Sequence, residues 1–269
     1  MGELGFGALW VPETVGREPF VSLALASSSA GSLWLGTSIA SIYARDAETA
    51  KTAAMTLHEA TDGRFVLGLG VSHPHLVTRL RGHEYGPPVT RMRDYLADLR
   101  RLPWKGPSIG DEMPPIVIAA LRERMLRLAA TDADGAFPYL VTPERIRWMR
   151  GILDEAGERS VLAVTLAVAL EPDPEVARAA ARTYLAPYLR TPNYQASWAA
   201  QGFDESDWAQ PGSNRLVDAM VAWGVVPEIT TRVGAMREAG ADHVALIPLA
   251  PDGASEEHVS TLEVLAERM

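Results

Sequence analysis

The chain has no cysteine, which excludes disulfides, thiolate metal sites and a cysteine nucleophile. It has no apolar run near the ~18 residues that signal a membrane span. Its start, Met1–Leu4, lacks the basic n-region and apolar h-region of a secretory signal. Basic residues are in the minority: 25 Lys and Arg against 34 Asp and Glu give a net charge of −9. That balance argues against nucleic acid or an anionic membrane as a bulk partner, because phosphate binding needs a basic face. Low-complexity tracts and a convincing linker are also missing, so residues 1–269 read as one domain. What these absences leave is a cytoplasmic enzyme or small-molecule-binding protein.

What is present is the stock of an ordinary globular protein, 47% hydrophobic and 22% charged. Candidate strands fall at Gly7–Pro12, Leu33–Ile42, Arg64–Val71, Pro115–Ala120, Asp134–Leu140, Val161–Leu170 and Asp242–Leu249. Most are continuous apolar runs, the pattern of parallel strands buried on both faces. Helices fill the gaps. Three open on the same signal, Thr142-Pro143-Glu144, Asp173-Pro174-Glu175 and Val226-Pro227-Glu228. Proline loses nothing in the first helical turn, and the acid meets the positive end of the helix dipole. Asp46 reads as the N-cap of a further helix with Ala50, Ala53, Ala54 and Leu57 on one face, ending near Gly63. Met55 and Met92, at helical spacing from apolar neighbours, read as core.

Seven strands alternating with helices approach the eight of a (β/α)8 barrel. The last returns after a long helical excursion from about Asp173 to Gly240, including an aromatic-rich segment with Tyr184, Tyr188, Tyr194, Trp198, Trp208 and Trp223. That segment suits a lid with a substrate pocket, or an oligomer interface. The chain opens directly on a strand, so the expectation is a barrel lacking its first βα unit. A doubly wound sheet is the alternative, but Val11-Pro12-Glu13-Thr14 is not its Gly-rich turn. In either case Ser38, Ile39, Ser72 and His73 fall at the carboxyl ends of neighbouring strands, where such folds build their sites.

Several segments, in order and spacing, carry a resemblance that runs from Glu3 to about Leu249. They are Glu3-Leu4-Gly5-Phe6-Gly7-Ala8-Leu9-Trp10-Val11-Pro12-Glu13, Leu35-Gly36-Thr37-Ser38-Ile39 and Asp62-Gly63-Arg64-Phe65-Val66-Leu67-Gly68-Leu69-Gly70. Pro115–Ala120, Ala133-Asp134-Gly135-Ala136 and Ala239-Gly240-Ala241-Asp242-His243-Val244 complete the set. The chain resembles the luciferase-like monooxygenase superfamily, in its branch of probable oxidoreductases using the deazaflavin coenzyme F420.

The resemblance implies a TIM-type (β/α)8 barrel with a flavin-type ring at its carboxyl face. It implies a non-proline cis peptide at Ser38–Ile39, with Thr37, Ser38 and Ile39 supporting the ring. Backbone N–H groups of Gly70, Val71 and Ser72, with those of Ala119, Ala120 and Leu121, would hold the phosphate end. Relatives often have glycine and proline where Arg122 and Glu123 stand. Arg122 or Arg124 then either pairs with an anionic part of the cofactor or is a solvated helix-face residue. Glu13 fits two roles, a carboxylate beside the ring or its ribityl chain and a cap of the following turn. His73 suits an acid or hydrogen-bond donor coupled to hydride transfer, and also a solvated loop position. His73 and His75 lack a neighbouring carboxylate or thiolate, so no metal is expected.

The implied activity is F420-dependent hydride transfer to or from a small organic molecule, with Glu13 and His73 as catalytic candidates. The alternatives are an FMN-dependent monooxygenase on the same fold and a ligand-binding barrel without catalysis. The family expectation is a homodimer that meets neither nucleic acid nor membrane.

Overall fold

Short parallel strands, each followed by a helix, begin at β1 (Ala8–Val11) and α1 (Pro19–Ser27) in the computed structural model. The structure describes residues 2–107, 113–157, 160–250 and 258–268. They fall into two compact units, residues 1–137 with 152–161, and residues 138–151 with 162–269.

The first unit continues with β2 (Trp34–Thr37), β3 (Ala40–Ser41), α2 (Ala47–Ala60), β4 (Phe65–Gly70), a π-helical turn at Leu76–Leu80 and α3 (Pro88–Arg101). β5 (Ile116–Ile118), α4 (Glu123–Asp132) and β6 (Gly135–Ala136) follow. Strands β1, β2, β4, β5 and β6 lie side by side and parallel, and β3 adds to the end of β4. Among the described residues β1 pairs only with β2. The continuous apolar run of β4 is explained by burial: Phe65, Leu67 and Leu69 are at most 1% exposed. Helix α3 turns Met92, Leu96 and Leu99 into the core, and Met55 of α2 is buried with them, as its spacing predicts.

The second unit holds α5 (Pro143–Ala156) as far as residue 151, β7 (Val161–Leu170) from residue 162, α6 (Pro174–Leu189), α7 (Pro192–Ala199), α8 (Glu205–Trp208) and α9 (Asn214–Met220). It ends with β8 (Val221–Gly224), α10 (Val226–Glu238), β9 (His243–Pro248) and α11 (His258–Ala266). Ala167 and Val168 of β7 pair with both β8 and β9, so β7 lies between them, parallel to each.

Start signals read from sequence appear as caps. The Asp46 carboxylate accepts Thr49 N–H at 2.7 Å, and Asp173 accepts Glu175 N–H at 2.8 Å. α10 opens with Glu228 reaching back to Val225 N–H at 2.6 Å. The two Ala-Asp segments share one device. Asp134 accepts the N–H of Ile116 at 2.7 Å, and Asp242 accepts that of Leu162 at 2.9 Å. In each, a carboxylate just ahead of one strand satisfies an amide at the start of another.

Three strand expectations need correction. Strand β8 lies inside the stretch expected to be helical. It follows α9 without an intervening turn residue and stops one residue before α10, so no local signal marks it. Asp134–Leu140 contracts to the two residues of β6, because Pro138 brings no ladder N–H and Leu140 sits at φ +57°. Leu33–Ile42 is broken at Ser38–Ile39. No helix among the described residues is long and apolar enough to cross a membrane.

Candidate active site

The break between β2 and β3 is a bulge. Gly36 pairs with Val66 and Ala40 with Leu69, so residues 37–39 lie opposite two residues, 67 and 68. The Ser38–Ile39 peptide bond within it is cis, as the resemblance implies. Thr37 fastens the bulge to β4. Its buried hydroxyl donates to Gly68 O at 2.7 Å and accepts Gly68 N–H at 2.9 Å. On the other side Ser38 N–H donates to Val11 O at 2.9 Å.

Two glycines of β4 make room for this. A Cβ on Gly68 would lie 1.8 Å from Thr37 O, and one on Gly70 would lie 2.2 Å from Ile39 Cδ1 and 3.4 Å from Ala119 Cβ. The Ile39 side chain therefore lies across Gly70 toward Ala119. Ser38, Ile39, Val71, Ser72 and Ala119 are all half-buried on this rim, while Thr37, Ala40 and Gly70 are buried. The result is a small apolar platform at the carboxyl ends of β2, β4 and β5.

Glu13 follows the end of β1, and its carboxylate is fully engaged. Oε2 accepts Ser41 N–H and the Arg45 guanidinium, both at 2.8 Å, and Oε1 accepts Arg81 at 2.7 Å. Only 8% of the Glu13 side chain is exposed, against 11% for Arg45 and 28% for Arg81. Arg45 also bonds Glu18 at 2.8 Å. One carboxylate thus ties the end of β1 to the segments following β3 and β4. Sequence reasoning missed both arginines. The available signal was charge spacing: residues 19–44 hold no charge, Glu13 and Glu18 precede that stretch, and Arg45 ends it.

Beyond β4 the chain turns at Ser72, a non-glycine residue in the left-handed region at φ +56°. His73 comes next, half-buried, with its ring stacked 6.0 Å from that of His75. Burial, and after it the His75 charge, push the His73 pKa below the ordinary histidine value. Both effects favour the neutral imidazole, which can serve as a hydrogen-bond partner. Tyr85 returns to this turn, its hydroxyl 3.5 Å from Ser72 O.

Farther along the rim, Ala120 is buried and Leu121 half-buried. Arg122 and Arg124 are exposed. Arg122 is extended at the cap position of α4, and its side chain makes no capping bond. In the second unit the aromatic segment packs on itself. Tyr139 lies 5.3 Å from Tyr188 and 5.9 Å from Tyr194, and Tyr194 lies 6.0 Å from Trp198, which is completely buried. Among the described residues no group of three or more His, Asp or Glu could hold a metal.

Comparison with known proteins gives consistent matches. The family model described as luciferase-like monooxygenase matches residues 1–243. A Mycobacterium tuberculosis protein provisionally named a coenzyme F420-dependent oxidoreductase is 27% identical over 70% of this chain and 65% of its own length. The F420-dependent tetrahydromethanopterin reductase of Methanopyrus kandleri superposes with a TM-score of 0.72 at 15% identity, covering 100% of this chain and 91% of that one. The FMN-bound oxygenating component of 3,6-diketocamphane monooxygenase from Pseudomonas putida gives 0.73 at 16% identity, covering 98% and 88%. These neighbours share an α/β fold built on a parallel sheet.

Proposed function

The chain belongs to the luciferase-like monooxygenase family, and from that premise we propose that it is an F420-dependent oxidoreductase acting on a small organic substrate. The observation that carries the cofactor site is the half-exposed bulge at Ser38–Ile39, seated on Gly68 and Gly70. A planar tricyclic ring needs a flat apolar support free of intruding side chains. Two glycines whose Cβ atoms would collide with the bulge meet that need. The choice of the deazaflavin over FMN rests on the Mycobacterium tuberculosis relative.

When bound, reduced F420 would supply a hydride. Ser38, Ile39 and Thr37 support the ring, and the backbone of Gly70, Val71 and Ser72, with Ala119, Ala120 and Leu121, holds the phosphate end. The exposed Arg122 pairs with an anionic part of the cofactor. His73, whose neutral form is favoured by burial, orients substrate or steadies developing charge through a hydrogen bond. Glu13 is a positioning residue. With its carboxylate accepting from Arg45, Arg81 and Ser41, it holds three strand ends in place and does not shuttle protons.

Titration of the protein with F420 and with FMN, followed by cofactor fluorescence, tests this reading. Saturable F420 binding supports it. FMN binding with oxygen uptake by the reduced complex would replace it with a monooxygenase, and failure of both cofactors to bind would leave a barrel without redox chemistry.

A further inference from the structure

The segment that leaves β4 and carries His73 is fastened by a pair of aromatic rings outside the site described above. Tyr43, two residues past β3, is 8% exposed. Its ring stacks on that of Tyr85, with centroids 5.6 Å apart and planes 23° apart. The Tyr43 hydroxyl accepts Gly86 N–H at 3.2 Å. The Arg91 guanidinium sits 5.7 Å from the centre of the Tyr43 ring. A Cβ on Gly86 would lie 3.1 Å from Arg91 Cγ and Cδ, so the Arg91 stem packs across that glycine. Tyr85 in turn directs its hydroxyl toward Ser72 O, the carbonyl next to His73.

We propose that the stacked Tyr43–Tyr85 pair is a positioning latch that closes the loop from Ser72 to Gly86 and sets where His73 stands. The inference rests on the assignment of His73 to the reacting centre, and it names residues that touch neither cofactor nor substrate. Ser72 in the left-handed region is costly for a residue with a side chain, and the turn persists because the loop's far end is pinned. The ring pair does most of this pinning. At 3.5 Å the Tyr85 phenol makes at best a weak bond to Ser72 O, whereas stacked aromatic rings contribute beyond their buried area. The Glu13–Arg81 ion pair holds the same loop five residues earlier, so the loop has two anchors on two different strand ends.

Two variants separate the ring from the hydroxyl, Tyr85→Leu and Tyr85→Phe. The readouts use the ligand-free protein: amide hydrogen exchange over residues 73–86 and the titration midpoint of the His73 imidazole by NMR. His75 is the ionisable neighbour that also acts on that midpoint. The expected result is that Tyr85→Leu speeds exchange in this loop at least roughly tenfold. The His73 midpoint should rise toward that of a solvated histidine, while exchange in β4 and β5 stays unchanged. Tyr85→Phe, which keeps the ring, should stay within a factor of roughly two of the parent. Unchanged exchange and an unchanged His73 midpoint in Tyr85→Leu would overturn the latch, as would Tyr85→Phe behaving like Tyr85→Leu. Because neither readout needs the cofactor, a latch that works in a protein that binds no F420 would overturn the proposed function and leave the latch standing.

Discussion

Replacing Glu13 by glutamine keeps the size of the side chain and removes its charge, which separates a positioning carboxylate from a reacting one. The native carboxylate accepts three hydrogen bonds of 2.7 to 2.8 Å, two of them from arginines. The amide of glutamine keeps one acceptor oxygen and turns its NH2 toward a guanidinium or the Ser41 amide, donor against donor. Stripping one partner from a buried ion pair costs ~3–5 kcal/mol. Arg81 is 28% exposed and recovers some hydration, so the lower end applies, about 3 kcal/mol. With a urea slope of roughly 2–3 kcal/mol/M, the unfolding midpoint should fall by about 1 M. The local readout is the Ser41 amide, whose acceptor loses its charge and which should exchange faster in Glu13→Gln. A double-mutant cycle with Arg81→Met should give a coupling of about 1–3 kcal/mol. A midpoint within about 0.2 M of the parent, with no coupling, would refute the reasoning and return Glu13 to the pool of catalytic candidates.

The two β4 glycines should differ. Gly68→Ala meets main-chain oxygen at 1.8 Å and breaks both bonds of Thr37, so a loss of about 3 kcal/mol or more is expected in urea unfolding. Gly70→Ala collides with the Ile39 side chain, which can rotate, and reaches Ala119 Cβ at 3.4 Å. Its stability should fall by less than about 2 kcal/mol, while F420 affinity drops by roughly tenfold or more, about 1.4 kcal/mol. His58 is buried with an unpartnered Nδ1, and burial lowers its pKa from 6.5. A base with a depressed folded pKa contributes stability that is full above 6.5 and lost as pH falls through the folded value. The urea midpoint should therefore drop between about pH 7.5 and about pH 5.5 by less in His58→Leu than in the parent. Asp134→Ala removes the acceptor of one strand amide and should cost about 1–2 kcal/mol. Asp242→Ala should cost more in the same assay, because Arg150 loses its carboxylate contact, keeping Gly240 O, while Leu162 N–H loses its acceptor.

The features legible in the sequence are those set by a few neighbouring residues. Asp46, Asp173 and the three proline-acid starts could be read because a helix cap is closed within four positions. The parallel strands could be read because burial on both faces demands unbroken apolar runs. β8 could not, since Val221–Gly224 is four residues wedged between two helices and shares its composition with either. The cis bond at Ser38–Ile39 came from the resemblance and not from spacing; nothing in Leu35–Ile39 by itself demands a bulge. The glycines opposite it are better local witnesses, because Leu67-Gly68-Leu69-Gly70 alternates full side chains with positions where a Cβ would collide with residues 37 and 39.

Glu13 marks where one-dimensional reading stops. A carboxylate at a strand end is equally suited to proton transfer and to ion pairing, and its residue type does not distinguish them. The decision lies with partners 28, 32 and 68 positions away, Ser41, Arg45 and Arg81. No periodicity or cap connects those positions; only the parallel sheet, which delivers the ends of β1, β3 and β4 to one rim, brings them together. The same holds for Tyr43 and Tyr85, and for the aromatics of the second unit, whose rings fill one another's packing space. Where a fold gathers its strand ends, charge and aromaticity are first consumed in holding the rim. The candidates for chemistry are then the groups that this holding leaves half-buried, which on this rim are Ser38, Ile39, Ser72 and His73.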